Sequence, residues 1–260
     1  MKYIPLFGFA LALTTTLSFA QKTAPVKSAW TTATSFADSA ARNASGEVYL
    51  EGAKVHATAT NNAEKLFLTL QLDDDQDQFK ALLFGSTIWL DQKGKRKAWK
   101  GIQFPLPEEM DPATGRPLSM GPKTGPTDRG MMMKHLLSRK IEMKLIRLVA
   151  EDDMLVSATG DPSGISARLE EKAGRLVYQL VVPLALIGGK PGAEAPLSIS
   201  FESGVPERPK QTSSDAGSMS GMGGMGGMYG RRGMYGGGGG FSGPTIAPTR
   251  FGLTVQLAGQ

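Results

Sequence analysis

Residues 65–107 read KLFLTLQLDDDQDQFKALLFGSTIWLDQKGKRKAWKGIQFPLP, and this stretch decides the fold. An alternating apolar run covers Leu66 to Leu72, and a second strand-like run covers Ser86 to Asp91. An acidic cluster and a short helix-like segment lie between the two runs. A third extended piece ends at Phe104, where two prolines stop strand pairing. The stretch therefore predicts strands of a sheet that folds back on itself.

The first twenty residues are typical of a secretory signal peptide. Lys2 gives a positive start, Ile4 to Leu17 are mostly apolar, and a small-x-small sequence ends at Ala20. The apolar run is shorter than the roughly 20 residues that a membrane-spanning helix needs. We predict cleavage after Ala20, a periplasmic or secreted mature protein, and no membrane span after cleavage.

The chain has no cysteine, so neither a disulfide nor a lipid-carrying thiol is available. Stability must then come from a packed core. The formal net charge of +5 is spread along the sequence, with a local cluster between Lys93 and Lys100. We interpret that cluster as a solvated turn and predict no nucleic-acid partner, because so small a patch supplies few phosphate contacts.

The further strand-like runs predict an all-β fold, an antiparallel immunoglobulin-like or jelly-roll-like β-sandwich with short helices. We divide the chain into a signal peptide (1–20), a lead-in (21–44) and one sandwich domain (45–260) with loop insertions at 107–130 and 204–248. The second insertion is rich in glycine and methionine and is predicted to be disordered, because it cannot bury enough apolar area. A final alternating strand follows it, from Arg250 to Ala258.

Several short motifs follow one another along the chain: Asn62 with Lys65-Leu66-Phe67-Leu68, then Asp73-Asp74, then Gly85 to Asp91 with Gly94, and finally Leu176 to Leu184. Their order resembles that of family-9 carbohydrate-binding modules and the related DOMON-like sandwiches. The resemblance implies a β-sandwich that binds sugars between aromatic side chains or, in other branches, binds haem. Trp89 is the aromatic residue that matches a family position.

Four aromatic residues are candidates for a sugar platform, because flat apolar rings stack on the apolar faces of sugar rings. They are Trp30, Tyr49, Trp89 and Trp99. Trp89 lies within a strand pattern, which favours a place in the core. Trp99 lies among lysines at a strand end, so we expect it to be exposed and the better contact for a ligand or partner.

Other side chains allow alternative sites. Asp73, Asp74 and Asp75 could hold calcium, although helix capping by Asp75 also explains these acids. His135 with Met131, Met132 and Met133 could supply haem ligands, or could simply form one face of a short helix. The methionines between Ser218 and Gly240 could hold Cu(I), although drift in a tolerant loop explains them as well.

No enzyme constellation is visible, because the sequence shows no nucleophile context, no metal-ligand spacing and no phosphate loop. We predict an exported, non-catalytic binding module for a polysaccharide or cell-envelope glycan. The alternatives are a structural or assembly protein of the cell envelope without a small ligand, and a haem or copper carrier.

Overall fold

The computed structural model describes residues 26–35, 46–91, 100–111, 117–120, 128–206 and 247–260 and shows two facing sheets. In this part of the chain, sheet A runs in the order β1 (Val26–Lys27), β13 (Arg250–Gln256), β12 (Leu197–Ser203), β6 (Ser86–Asp91), β7 (Lys100–Gln103), β8 (Glu142–Ile146) and β9 (Met154–Ser157). Sheet B runs in the order β10 (Ser166–Lys172), β11 (Arg175–Pro183), β5 (Lys65–Leu72), β4 (Val55–Asn61) and β2 (Ala29–Trp30), and β3 (Val48–Leu50) also pairs with β4. The predicted all-β sandwich is confirmed.

Most neighbouring strands are antiparallel, as predicted, but the sheets are mixed. β1 runs parallel to β13 in sheet A, and β2 runs parallel to β4 in sheet B. Both parallel strands belong to the short segment from Val26 to Trp30, which passes from an edge of one sheet to an edge of the other. This segment, predicted as an extended lead-in or edge strand, therefore contacts both layers of the sandwich.

The core lies between the sheets and follows the alternation of the strands. In β5, Leu66, Leu68, Leu70 and Leu72 are at most 1% exposed. Opposite them, sheet A contributes large buried side chains, among them Ile88, Ile102, Met143, Ile199 and Phe201. Each fully buried aliphatic or aromatic side chain contributes about 1.5–3 kcal/mol, so a core of this kind can stabilise a chain without disulfides.

In the part of the chain that the structure describes, three short α-helices lie around the sandwich: α1 (Asp75–Phe84), α2 (Arg129–Ser138) and α3 (Leu184–Ile187). The prediction that Asp75 caps α1 is wrong by one residue. Asp74 has the extended backbone of a cap, and its carboxylate accepts hydrogen bonds from the backbone N–H groups of Gln76 and Asp77 at 3.0 and 3.3 Å. Among the described residues, no helix has the length and apolar character needed to cross a membrane.

Tyr178 lies at the centre of the core. Its ring makes edge contacts with Phe104 at 5.9 Å and Phe201 at 6.5 Å between ring centroids. Its hydroxyl is buried and has no hydrogen-bond partner among the described residues. Burial raises the pKa of this hydroxyl well above its ordinary value, so the group is neutral at any physiological pH.

We expect Tyr178→Phe to raise the free energy of unfolding by up to about 1 kcal/mol, because it removes a desolvated hydroxyl without changing the shape of the ring. Chemical denaturation checks this. Tyr49→Phe, at a position 45% exposed, is the matched control and should change little. A loss of more than about 1 kcal/mol in Tyr178→Phe would mean that the hydroxyl has a partner in the folded protein.

A buried polar cluster ties the N-terminal segment to the last strand. Asn61 is fully buried, and its Oδ1 accepts hydrogen bonds from the Ser28 hydroxyl and, at 2.9 Å, from the backbone N–H of Ala258. Its Nδ2 donates to the carbonyl oxygens of Asn62 and Ala258, both at 3.1 Å. The Ser28 hydroxyl also donates to the Gln256 carbonyl at 3.1 Å. One amide thus joins β4, the N-terminal segment and the end of β13.

A buried ion pair fixes the chain after β7. The side chains of Lys140 and Glu108 are only 5% and 9% exposed and form a salt bridge. Lys140 Nζ also donates to the carbonyl oxygen of Leu106 at 3.3 Å. This lysine follows α2, so the pair connects the end of that helix to the segment that leaves sheet A.

The ends of the predicted 204–248 insertion are joined to each other. The backbone N–H of Ser203 donates to the carbonyl oxygen of Thr249 at 2.9 Å, and the Thr249 N–H donates to the Ser203 hydroxyl at 2.8 Å. The Thr249 hydroxyl in turn donates to Asp77 of α1 at 2.5 Å. The insertion therefore leaves and rejoins the sandwich at one point. Its glycine- and methionine-rich part, residues 207–246, lies outside the described residues, as does the predicted signal peptide.

Candidate functional site

Trp89 lies on the outer face of sheet A, so the prediction that it belongs to the core is wrong. Its neighbours Ile88 and Leu90 are 0% and 7% exposed and face the core. Because successive side chains of a strand point to opposite faces, Trp89 must point outward. It is half-buried there, and this position makes it available for the other role that was predicted for it, ligand binding.

The side chains beside Trp89 on this face are small. Trp89 is paired with Ser200 of β12 on one side of β6 and with Gly101 of β7 on the other. Ser200 is in turn paired with Gly252 of β13. A Cβ atom at Gly101 would lie only 2.8 Å from Cε3 and 3.0 Å from Cζ3 of the indole. The Cε3–Cζ3 edge of the six-membered ring therefore passes close to the glycine backbone, and a side chain at position 101 would displace the indole.

A carboxylate and a guanidinium fix the other side of the indole. Trp89 Nε1 donates to Glu202 Oε2 at 3.2 Å. The second oxygen of Glu202 accepts from Arg250 Nε at 2.8 Å and from Arg250 Nη2. The Arg250 side chain is 66% exposed and that of Glu202 is 30% exposed, so solvent reaches both groups. Polar groups that can donate and accept hydrogen bonds thus lie beside a flat aromatic ring.

Two depressions in the surface meet at these three side chains. One has a volume of about 470 Å³ and is also lined by Ser200, Phe251 and Gly252. The other has a volume of about 270 Å³ and extends towards Thr87, Gln103 and Val205. Trp89, Glu202 and Arg250 line both depressions. We call these three residues the Trp89 site.

A row of polar side chains crosses sheet A next to the Trp89 site. The strand registers pair Arg250 with Glu202, Glu202 with Thr87, Thr87 with Gln103, and Gln103 with Lys144. Neighbouring strands are about 4.8 Å apart, so this polar row spans roughly 19 Å. Every member can form hydrogen bonds, and the members carry charges of both signs.

The other predicted aromatic residues lie elsewhere. Trp30 is half-buried on β2, and Tyr49 is 45% exposed on β3, so both belong to sheet B. The Tyr49 ring lies 4.6 Å from the ring of His56. Trp99, the predicted exposed platform, lies outside the described residues. The structure therefore brings none of the other described aromatic candidates to Trp89.

The three aspartates considered for calcium have different basic partners. Asp73 forms an ion pair with Arg175 at 3.0 Å, and its second carboxylate oxygen lies 3.2 Å from His56 Nε2. Asp74 pairs with Lys54 at 2.8 Å, and that hydrogen bond lowers the pKa of the Asp74 carboxyl. Asp75 pairs with Arg129. Within the described residues, no three acidic, histidine or cysteine side chains are grouped so that they could hold a metal ion.

The predicted haem ligands lie on α2 in different surroundings. His135 Nε2 is 3.2 Å from the carbonyl oxygen of Ser119, so a backbone group already occupies one ring nitrogen. Met133 is buried at 3% exposure, whereas Met131 is 58% exposed. The methionines between Ser218 and Gly240 lie outside the described residues.

Sequence reasoning missed Glu202 and Arg250. Each lies at the end of a predicted strand on opposite sides of the 204–248 insertion, and only the pairing of β12 with β13 brings them together. The sequence carried a signal for the third member of the site alone: the residues of β6 alternate, so Ile88 and Leu90 on the inner face require Trp89 on the outer face.

No protein-family model and no curated protein sequence matches the chain. Among solved structures, the chain is similar to a family-9 carbohydrate-binding module from Caldicellulosiruptor kristjanssonii in complex with glucose. The sequence identity is 7%, the TM-score is 0.27, and the match covers 58% of each chain. The chain thus spans less than two thirds of that relative, and a TM-score of this size does not establish a common fold.

Proposed function

We propose that the protein is a carbohydrate-binding module and that the Trp89 site is where the sugar binds. The observation that carries the proposal is a partly exposed indole, Trp89, beside the small residue Gly101 and joined at its Nε1 to the Glu202–Arg250 pair. A pyranose ring has an apolar C–H face that packs on an indole, and its hydroxyl groups both donate and accept hydrogen bonds. Binding sites for small ligands combine an apolar surface with a few placed polar groups in this way.

The Glu202–Arg250 pair suits neutral sugar hydroxyls. A carboxylate accepts hydrogen bonds, and a guanidinium presents several donors in a fixed plane. Because each group partly neutralises the other, the pair can hydrogen-bond a ligand without requiring a charged one.

The polar row extends the proposal from a single sugar to a chain. Thr87, Gln103 and Lys144 continue away from the Trp89 site across neighbouring strands, over a span of roughly 10 Å. A polysaccharide lying across the strands could contact the indole with one ring and these side chains with the next rings. The signal-peptide pattern in the first twenty residues supports a periplasmic or secreted location, where such chains occur.

Trp89→Ala should weaken polysaccharide binding by about 1–2 kcal/mol, or roughly five- to thirty-fold in dissociation constant. The mutation removes the stacking platform. A pull-down with insoluble polysaccharides and a glycan array first identify a ligand, and calorimetry then compares the variants. Glu202→Gln should also weaken binding, because it removes the charged acceptor and loosens Arg250.

Tyr49→Ala is the matched control, since it removes an exposed aromatic ring from the other sheet. It should bind as the wild type does. Denaturation of each variant shows whether weaker binding results from loss of the binding site or from loss of the folded structure. The proposal fails if Trp89→Ala is folded and binds every polysaccharide that the wild type binds with unchanged affinity.

A further inference from the structure

β9 forms one edge of sheet A and pairs with β8 only, within the described residues. The backbone N–H of Ala158 donates to the Ile141 carbonyl oxygen at 2.8 Å, next to this pair of strands. In an antiparallel pair, hydrogen-bonded and non-hydrogen-bonded residues alternate. Met154 and Val156 therefore direct their backbone groups towards β8, while Leu155 and Ser157 direct theirs away from the sheet.

Two of the usual protections against further pairing are missing from this strand. The strand Met154–Ser157 has no proline and no charged residue, which are common ways to block a sheet edge. Its apolar side chains are instead exposed: Leu155 is 60% exposed and Met154 is 40% exposed. Ile141, which precedes β8, is 61% exposed. The edge thus combines open backbone groups with apolar side chains.

We propose that β9 pairs with β9 of a second copy of this chain, antiparallel and around a two-fold axis at Leu155. This register lets Leu155 exchange backbone hydrogen bonds with Leu155 of the second copy, because both direct these groups outward. The two exposed leucine side chains then meet on the same face of the joined sheet, and this contact removes both from solvent.

Charge repulsion does not oppose this register. Asp153 lies two residues before Leu155 and therefore falls opposite Ser157 of the second copy. Its carboxylate is thus placed beside a hydroxyl and not beside another carboxylate. Asp153 is also paired with Lys144 of its own chain at 2.8 Å. Like charges directly opposite each other would oppose pairing, and the two-fold arrangement places none there. The surface is thus complementary to itself, as a two-fold interface requires.

The geometry has a consequence for ligand binding that rests on the proposed function. A two-fold axis normal to the sheet places both outer faces of sheet A on the same side. Lys144, the last residue of the polar row, is paired with Leu155 of β9. Because Leu155 lies opposite Leu155 of the second copy, the polar rows of the two copies lie on one line across the joined sheet. Two Trp89 sites on one surface would bind a long polysaccharide with avidity.

The short strand limits the strength of the dimer. Stable interfaces bury about 1,200–2,000 Å² in total, and one four-residue strand with its side chains lies at or below the low end of that range. We therefore expect a dissociation constant between micromolar and millimolar, with dimers populated at high protein concentration.

Sedimentation-velocity ultracentrifugation of the full chain over a broad concentration series, without any ligand, tests the proposal. The wild type should shift from monomer to dimer as concentration rises. Leu155→Pro should remain monomeric, because it removes the outward N–H while the inward hydrogen bonds of Met154 and Val156 stay in place. Leu155→Lys should also remain monomeric, because the two-fold axis brings like charges together.

Leu118→Lys is the matched control, since Leu118 is 51% exposed in a short helical turn away from β9. It should dimerise like the wild type. A wild type that stays monomeric at the highest concentration overturns the proposal, as does a dimer that persists in a folded Leu155→Lys variant. The measurement involves no sugar, so its outcome is independent of whether the Trp89 site binds a glycan.

Discussion

Glu108→Ala should lower the free energy of unfolding by about 3 kcal/mol, one of the largest effects that we expect from a single change. The substitution leaves the Lys140 ammonium in a site where its side chain is only 5% exposed, without the carboxylate that compensates its charge. Breaking a buried ion pair in this way costs more than the pair itself contributes, because an unpaired charge remains away from water. Urea denaturation measures the loss.

A double-mutant cycle distinguishes this cause from lost packing. Lys140→Met removes the charge but keeps most of the side-chain volume, so Glu108→Leu combined with Lys140→Met should recover a large part of the stability. If the loss of unfolding free energy in the double variant equals the sum of the losses in Glu108→Leu and Lys140→Met, the ion pair is not the origin of the effect.

A pH series gives an independent check on the same pair. Burial is the largest single influence and acts to raise the pKa of the Glu108 carboxyl, but hydrogen bonding and the positive charges of Lys140 and Arg139 together outweigh it and hold the pKa below the ordinary value of 4.5. Since the folded pKa lies below the unfolded one, the contribution is present above about pH 4.5 and is lost as the pH falls through the folded pKa. The stability difference between wild type and Glu108→Ala should therefore shrink in acid.

Asn61→Ala should also cost about 3 kcal/mol. The side-chain amide makes hydrogen bonds with the Ser28 hydroxyl, with the Asn62 carbonyl and with both backbone groups of Ala258. Each bond contributes about 1 kcal/mol, and the groups left behind lose partners at a buried position. Thermal or chemical denaturation measures the loss.

The adjacent Asn62 provides a control for the Asn61 prediction. Its side chain accepts from the backbone N–H groups of Glu64 and Lys65 and donates to the Ala33 carbonyl, all at exposed or partly buried positions, so Asn62→Ala should cost less than Asn61→Ala. Hydrogen exchange adds a spatial readout: Asn61→Ala should increase exchange in β1, β2 and the end of β13 before it affects β5. Equal losses from the two substitutions would contradict the role given to Asn61.

Much of the sandwich could be predicted from local pattern alone. The leucines of β5 alternate without interruption, and the structure buries all four. The strand from Ser86 to Asp91 is also found where it was predicted. Such strands can be predicted from sequence because each one carries its own apolar face. A shift of the strand register by one residue would expose that whole face to solvent.

The wrong assignment of Trp89 to the core arose because the type of the residue was given more weight than its position in the strand. Trp89 was assigned to the core because a large ring gains most from burial, but its two neighbours in the strand already occupy the inner face. Alternation is a geometric requirement of the strand, whereas hydrophobicity is only a preference. Since Ile88 and Leu90 are alternate residues on the inner face, the residue between them belongs on the outer face, and this rule would have assigned Trp89 correctly.

The remaining site residues could not be found from sequence, since they depend on pairing between distant segments. Glu202 and Arg250 meet only because β12 and β13 form a hairpin around the long insertion. Glu108 and Lys140 are likewise separated by a loop and a helix. A single sequence contains no local signal that fixes which charged residue of one segment meets which residue of another.

The hydrogen bonds between Ser203 and Thr249 make this connection a permissive position for new sequence. Since the two ends are held together by the sandwich itself, doubling the length of chain between them costs only about 0.6 kcal/mol in closure entropy. Insertions can therefore accumulate there over evolution with little effect on folding. The same property makes the position suitable for grafting a reporter peptide or a second domain beside the Trp89 site.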